Sequence, residues 1–186
     1  MIITLAGVPG SGKTTKAKML SERLGMKWYS MGDMRGKMAM EKGMTIDELN
    51  ELGMKSDATD REVDEFQKRL GETEDNFVAD GRMSWYFIPH AFKIFLTVDP
   101  KEGARRVYEE NRNATASDEP AYASVEDAME RLAKRAESDR ARYLKHYGVD
   151  YLDPKNYDAI IDTTTMSAEE SYQKILGLID EKRRIG

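Results

Sequence analysis

Eight residues near the start of the chain constrain its fold more than anything that follows. Gly7-Val8-Pro9-Gly10-Ser11-Gly12-Lys13-Thr14 fits the pattern G-x-x-x-x-G-K-S/T. That pattern carries a mechanism in one setting only, after a strand and at the start of a helix. Both flanks agree. Ile2-Ile3-Thr4-Leu5-Ala6 is a short apolar run rich in β-branched residues, and it ends at the glycine cluster, which suits a buried parallel strand. From Lys13 to Leu24 the spacing turns helical, and Gly25 stops it. In that setting the glycines let the backbone wrap a phosphate with its N–H groups, and the helix N-terminus adds positive partial charge. Gly7, Gly10, Ser11, Gly12 and Thr15 are therefore candidates for the donor-phosphate cradle. Lys13 is placed to bridge the β- and γ-phosphates, and Thr14 to ligate Mg²⁺. The loop points to nucleoside triphosphate binding and leaves the reaction open.

Downstream, strands alternate with helices. Lys27–Tyr29, Asn76–Asp80, Ala91–Val98 and Tyr157–Asp162 read as four further strands. Residues 31–70 read as consecutive short helices, with capping-box patterns at Thr45-Ile46-Asp47-Glu48 and Thr59-Asp60-Arg61-Glu62. Met31, Met34 and Met38 share one helical face, more in keeping with core packing than with a base-binding surface. Asp99-Pro100-Lys101-Glu102 opens a helix. Residues 111–123 are polar and contain proline, hence a loop. Ser124 caps a long helix that ends near Tyr147 before Gly148, and Ser167-Ala168-Glu169-Glu170 starts a last one. The expected fold is α/β, a three-layer α/β/α P-loop architecture with a five-stranded parallel sheet.

Composition excludes several chemistries. The 186 residues contain no cysteine, which removes disulfides, thiolate metal sites and cysteine nucleophiles and fits a cytoplasmic setting. The two histidines, His90 and His146, make a serine–histidine triad or a histidine metal site a poor fit. No apolar run reaches the roughly 18 residues of a membrane helix, so no membrane partner is expected. The N-terminus lacks the basic region and cleavage site of a signal peptide. The formal net charge of −5 argues against nucleic acid. The charge is unevenly placed: residues 1–40 are net +5, 41–75 net −7 and 131–145 net +4. A patchy surface or a local anion site explains this equally well.

Three uses of the nucleotide compete: a small-molecule kinase, a GTPase switch and a subunit of an ATP-dependent machine. The base-reading motif N/T-K-x-D of GTPases is absent. A small kinase needs arginines converging on a second, often anionic, substrate, on parts that exclude water. Asp80-Gly81-Arg82 ends the third strand, at the edge where open α/β sheets bind ligands. Asp80 can hold a Mg²⁺-bound water and Arg82 can clamp an acceptor phosphate. Arg131, Arg135, Asp139 and Arg142 share one face of the long helix; a solvated helix laced with ion pairs gives the same pattern. Arg35 stands at the lip of the acceptor side, and Arg112 at the edge of the polar loop.

Beyond the phosphate loop, the chain resembles the nucleoside monophosphate kinases, most of all the archaeal-type cytidylate kinases. The matching pieces are GVPGSGKTT at 7–15, SMGD at 30–33, DREVDEFQ at 60–67, DGRM at 80–83, RAESDRARY at 135–143, YGVD at 147–150 and YDAIIDT at 157–163. They recur in the family's order over nearly the whole chain. The resemblance implies a core of 1–30, 71–110 and 148–186, a monophosphate-binding insertion at about 31–70 and a lid at about 111–135. It implies ATP- and Mg²⁺-dependent transfer to CMP or dCMP by a monomer whose partners are small nucleotides. Lys13, Asp80, Arg82 and Arg135 would serve the reacting phosphates, and Arg35 with Arg82 the acceptor phosphate. Asp60 and Arg61 lie in the insertion that reads the pyrimidine. Asp139 and Arg142 would contact the acceptor nucleotide, and Thr163 and Thr164 lie where adenine is held. One departure stands out. Relatives place the insertion's first arginine where Gly36 stands here, so Arg35 is turned by about 100° on a helix, and Arg35 or Lys37 would take its task. Acceptors such as AMP, UMP or a non-nucleotide, and a switch or adaptor with no acceptor, remain the alternatives.

Overall fold

A computed structural model describes residues 1–55, 58–113 and 121–185. Its centre is a five-stranded parallel sheet of order β2-β3-β1-β4-β5, formed by β1 (Ile2–Gly7), β2 (Lys27–Ser30), β3 (Phe77–Asp80), β4 (Phe92–Thr97) and β5 (Ala159–Asp162). β1 is buried along its whole length, which is why it is an uninterrupted apolar run rather than an alternating one. Its register sets Leu5 beside Asp80 on one side and Gly7 beside Leu96 on the other. The carboxyl ends of β1 and β3 thus open where the strand order reverses, the crevice in which open α/β sheets bind ligands.

Helices cover both faces. α1 (Lys13–Leu24) lies on one face with α8 (Ala168–Ile185), burying Leu20, Tyr172, Ile175 and Ile179 against Leu5, Val78 and Ile94. Between β2 and β3 run α2 (Met31–Glu41), α3 (Ile46–Lys55) and α4 (Ala58–Thr73). Met31 and Met38 pack there with Leu49 and Val63, so the methionine face is core. The four-residue α5 (Ser84–Phe87) follows β3, and Trp85 and Phe87 pack on the opposite face of the sheet with Tyr143 and Tyr151. α6 (Pro100–Asn113) and α7 (Val125–Tyr147) complete that side, and Pro154–Asn156 form a short 3₁₀ turn. Among the described residues no helix is long and apolar enough to cross a membrane.

Caps explain most boundaries. Asp99 accepts from the amides of Lys101 and Glu102 at 3.0 and 3.1 Å. Ser124 accepts from Asp127, and Gly148 closes α7 in the left-handed region. The capping boxes at Thr45–Glu48 and Ser167–Glu170 form in both directions. The box expected at Thr59–Glu62 does not. The helix is already under way at Ala58, and the Thr59 hydroxyl is buried inside its first turn without a hydrogen bond. Three strands start later than the apolar runs suggest. Asn76 turns to a positive φ of 57°, the Ala91 amide donates to Ile88, and Tyr157 caps the 3₁₀ turn. Of the loop expected from 111, residues 111–113 belong instead to α6, which runs to Asn113. Its next residues, 114–120, and the side chain of Arg112 lie outside the described residues, as does part of the lid segment.

Candidate active site

The phosphate loop joins β1 to α1 through Gly10 and Gly12, with φ of 75° and 80°. Gly10 packs against the backbone of Gly103 so closely that a Cβ there would meet the Gly103 carbonyl at 2.3 Å. Inside the loop, the Ser11 hydroxyl donates to the Val8 carbonyl at 2.7 Å and the Lys13 ammonium to the same oxygen at 3.2 Å. Burial lowers Lys13 to a pKa of about 8; the Asp80 carboxylate opposes this, and Arg82 and Arg135 add to it.

Thr14 and Asp80 meet across 66 residues of sequence, the hydroxyl donating to the carboxylate at 2.6 Å. Burial pushes the Asp80 carboxyl up, against the pull of Lys13 and the Thr14 hydroxyl. A hydroxyl and a buried carboxylate are hard oxygen donors, and two such groups beside a phosphate cradle suit Mg²⁺, which keeps several waters and shares phosphate oxygens. The residues present fit that ion.

Two cavities meet at the loop, and both are lined by Gly10, Lys13 and Thr14. One, of about 440 Å³, opens toward the carboxyl end of β3 and is walled by Arg35, Arg82, Arg135 and Arg142. The other, of about 870 Å³, lies between α1, α6 and the turn after β5, and Thr15, Lys16, Arg106 and Thr164 line it.

Beneath the smaller cavity lies a buried ion network. Arg142 is 1% exposed and Asp139 2%. Arg142 contacts Asp139 at 2.8 Å, Asp60 at 3.2 Å and Asn50 at 3.1 Å. Arg35 donates to the same Asn50 oxygen at 3.0 Å and pairs with Asp60. Arg82 reaches the second oxygen of Asp139 at 3.1 Å. Burial opposes the charge on Arg82 and Arg142, yet Asp139 beside Arg82, and Tyr143, Asp139 and Asp60 beside Arg142, keep both above the ordinary guanidinium value.

Of the residues singled out from sequence, Lys13, Thr14, Asp80, Arg35, Arg82, Arg135 and Arg142 line the smaller cavity. Asp60 and Asp139 lie behind it and hold its arginines. Thr163 is fully buried behind the loop, its hydroxyl donating to Thr97 at 2.9 Å; Thr164 lines the larger cavity. Arg61 is exposed and lines neither cavity. Lys37 is also exposed and away from the cavity wall, and Gly36 is buried, so the rotation of α2 turns Arg35 inward. Arg131 lies over the Tyr122 ring at 4.5 Å, outside both cavities. The His146 ring contacts the Gly53 carbonyl at 3.0 Å, and His90 is exposed.

Two contributors escaped the sequence reading. Asn50 bridges two arginines, and no spacing on a polar helix betrays such a bridge. Arg106 donates to the carbonyls of Thr163 and Thr164 at 2.8 and 3.1 Å and is held by Glu102 at 2.8 Å. Its signal was Glu102–Arg106, an i, i+4 pair on the helix that leaves β4.

A phosphate loop whose lysine faces a second, arginine-walled cavity defines a P-loop phosphotransferase. The model of the cytidylate kinase-like family matches residues 2–165. The chain belongs to that family and is a nucleoside monophosphate kinase. It is 35% identical to a cytidylate kinase of Archaeoglobus fulgidus over 98% of this chain and 97% of that one. It is 34% identical to a cytidylate kinase of Methanobrevibacter smithii, covering 95% and 96%. A shikimate kinase structure from Bacteroides thetaiotaomicron superposes with a TM-score of 0.63 at 19% identity, covering 97% and 98%, a likeness of fold alone.

Proposed function

We propose that the protein moves the γ-phosphoryl group of ATP onto CMP, and onto dCMP as well. The observation that carries this is the meeting of two cavities at Lys13, with Arg82 and Arg135 on the acceptor side. The cytidylate kinases among its relatives support the cytosine acceptor.

The donor triphosphate lies in the loop with its base toward Thr164. The acceptor phosphate lies against Arg35 and Arg82. Thr14 and Asp80 would hold Mg²⁺, which would supply charge neutralisation at the phosphates. The nucleophile is an oxygen of the acceptor monophosphate, anionic at neutral pH, so no strong general base is required. Catalysis is then positioning plus charge stabilisation. Lys13 and Arg135 meet the charge on the transferring group, while the arginines anchored by Asp60 and Asp139 keep a fixed direction. Residues 31–70 form the acceptor-binding insertion, and the segment about 111–135 covers the transfer and excludes water.

The test is an acceptor panel with ATP and coupled detection of ADP. CMP and dCMP should show the highest kcat/KM. Equal values for AMP or UMP would overturn the cytosine assignment, and slow hydrolysis with no phosphorylated acceptor would turn the reading to a switch or adaptor.

A further inference from the structure

Lys16 sits one turn into α1 and is only 4% exposed. Side chains on a helix lean toward its N-terminus, and this one folds back over Gly12. Its Nζ lies 2.8 Å from where a Cβ of Gly12 would stand. Among the described residues no carboxylate pairs with it and its ammonium makes no hydrogen bond to the protein, yet it lines the larger cavity.

Three features of this place repel a cation. Burial of the side chain works against the charge on its ammonium. The N-terminus of α1 carries positive partial charge. Arg106 supplies a second positive charge nearby. Arg106 spends its donors on Glu102, Thr163, Thr164 and the Gly10 carbonyl. The donors of Lys16 remain unspent. A buried cation without an anion is costly, and an anionic ligand in the cavity it lines removes that cost.

We propose that Lys16 is a binding residue for the phosphates of the donor nucleotide, a second lysine beside Lys13 that faces the larger cavity. This rests on the reading of that cavity as the donor side. Arg106 braces the wall, tying the turn after β5 to the phosphate loop, and Lys16 supplies the charge that discriminates a nucleotide from a nucleoside.

The test is calorimetric binding of ADP and of adenosine to the full chain and to Lys16→Met, which keeps the length and removes the charge. No acceptor is involved, so a failure of the cytosine assignment leaves the outcome readable. ADP should bind the variant about tenfold more weakly, about 1.4 kcal/mol, with adenosine unchanged. Without ligand the variant should melt higher than the parent, since an unpaired buried charge is gone. In steady state the KM for ATP should rise with the KM for the acceptor unchanged. Equal ADP affinities, or equal losses for ADP and adenosine, would overturn the proposal. Lys16→Gln guards against a packing defect. If both variants fail to fold, the ammonium serves the fold itself and the proposal is likewise overturned.

Discussion

Asp139 holds two guanidinium groups, Arg82 on one oxygen and Arg142 on the other. It thus holds two of the four arginines that wall the smaller cavity. Breaking a buried ion pair from one side leaves an uncompensated charge and costs about 3–5 kcal/mol. Asp139→Asn should therefore destabilise the protein by about that much in urea unfolding and raise the acceptor KM, with the donor KM little changed. Stability within about 1 kcal/mol of the parent would show that the pairs are not coupled as the geometry implies. The face of Arg131, Arg135, Asp139 and Arg142 is legible in the sequence, because helical spacing puts these residues together. Their partners Asp60 and Asn50 were less so. Asp60 was placed in the insertion but not opposite Arg142, since the contact spans 82 residues and no periodicity encodes it. Arg61 shows the same limit from the other side: it neighbours Asp60 in sequence, yet the helix turns it outward.

At the scale of elements, the phosphate loop depends on a backbone contact between β1–α1 and α6. Gly10→Ala meets both a left-handed φ and a carbonyl at 2.3 Å. The expected loss is at least about 2 kcal/mol, with transfer abolished. Gly103→Ala meets Pro9 and Val98 at 2.9 Å but gains about 1 kcal/mol of helix propensity, so it should be the milder of the two. The reverse order on thermal unfolding would show that the Gly10–Gly103 contact does not set the loop.

The α4–α7 contact gives a pH effect. The Tyr147 hydroxyl donates to Asp64, and burial pushes the Asp64 carboxyl up to about 6 from 3.8. Between those values the folded state binds more protons than the unfolded one, so this group's contribution to stability falls as pH rises through about 4 to 6. Asp64→Asn should melt higher at pH 7 and show a flatter Tm between pH 4 and 6, and an unchanged slope would count against the burial of Asp64. Element identity was largely legible because strong caps and buried runs are local signals. The starts of β3, β4 and β5 and the short α5 were not, since each is set by a turn packed against the sheet.

On the whole-molecule scale, the insertion and α7 are joined by polar contacts: Asn50 and Asp60 to Arg142, Gly53 to His146, and Asp64 to Tyr147. Asn50 and Arg142 among them line the smaller cavity, and the phosphate loop joins it to the larger. The basic excess of residues 1–40 includes Lys13, Lys16 and Lys18, which line the larger cavity, and Arg35, which lines the smaller. A ligand filling both cavities would bind only the assembled state. On the proposed reading, adenosine and cytidine joined through five phosphates would be such a ligand. At a hundred times its Kd it should add about 2.7 kcal/mol to stability. A domain of this size shifts by about 2–4 °C per kcal/mol, so Tm should rise by about 5–11 °C. The uridine counterpart at the same concentration should give a smaller shift, because the two pyrimidines differ at the ring edge that the acceptor side would read. Equal shifts would mean that the arginine-walled cavity holds phosphate without reading the base.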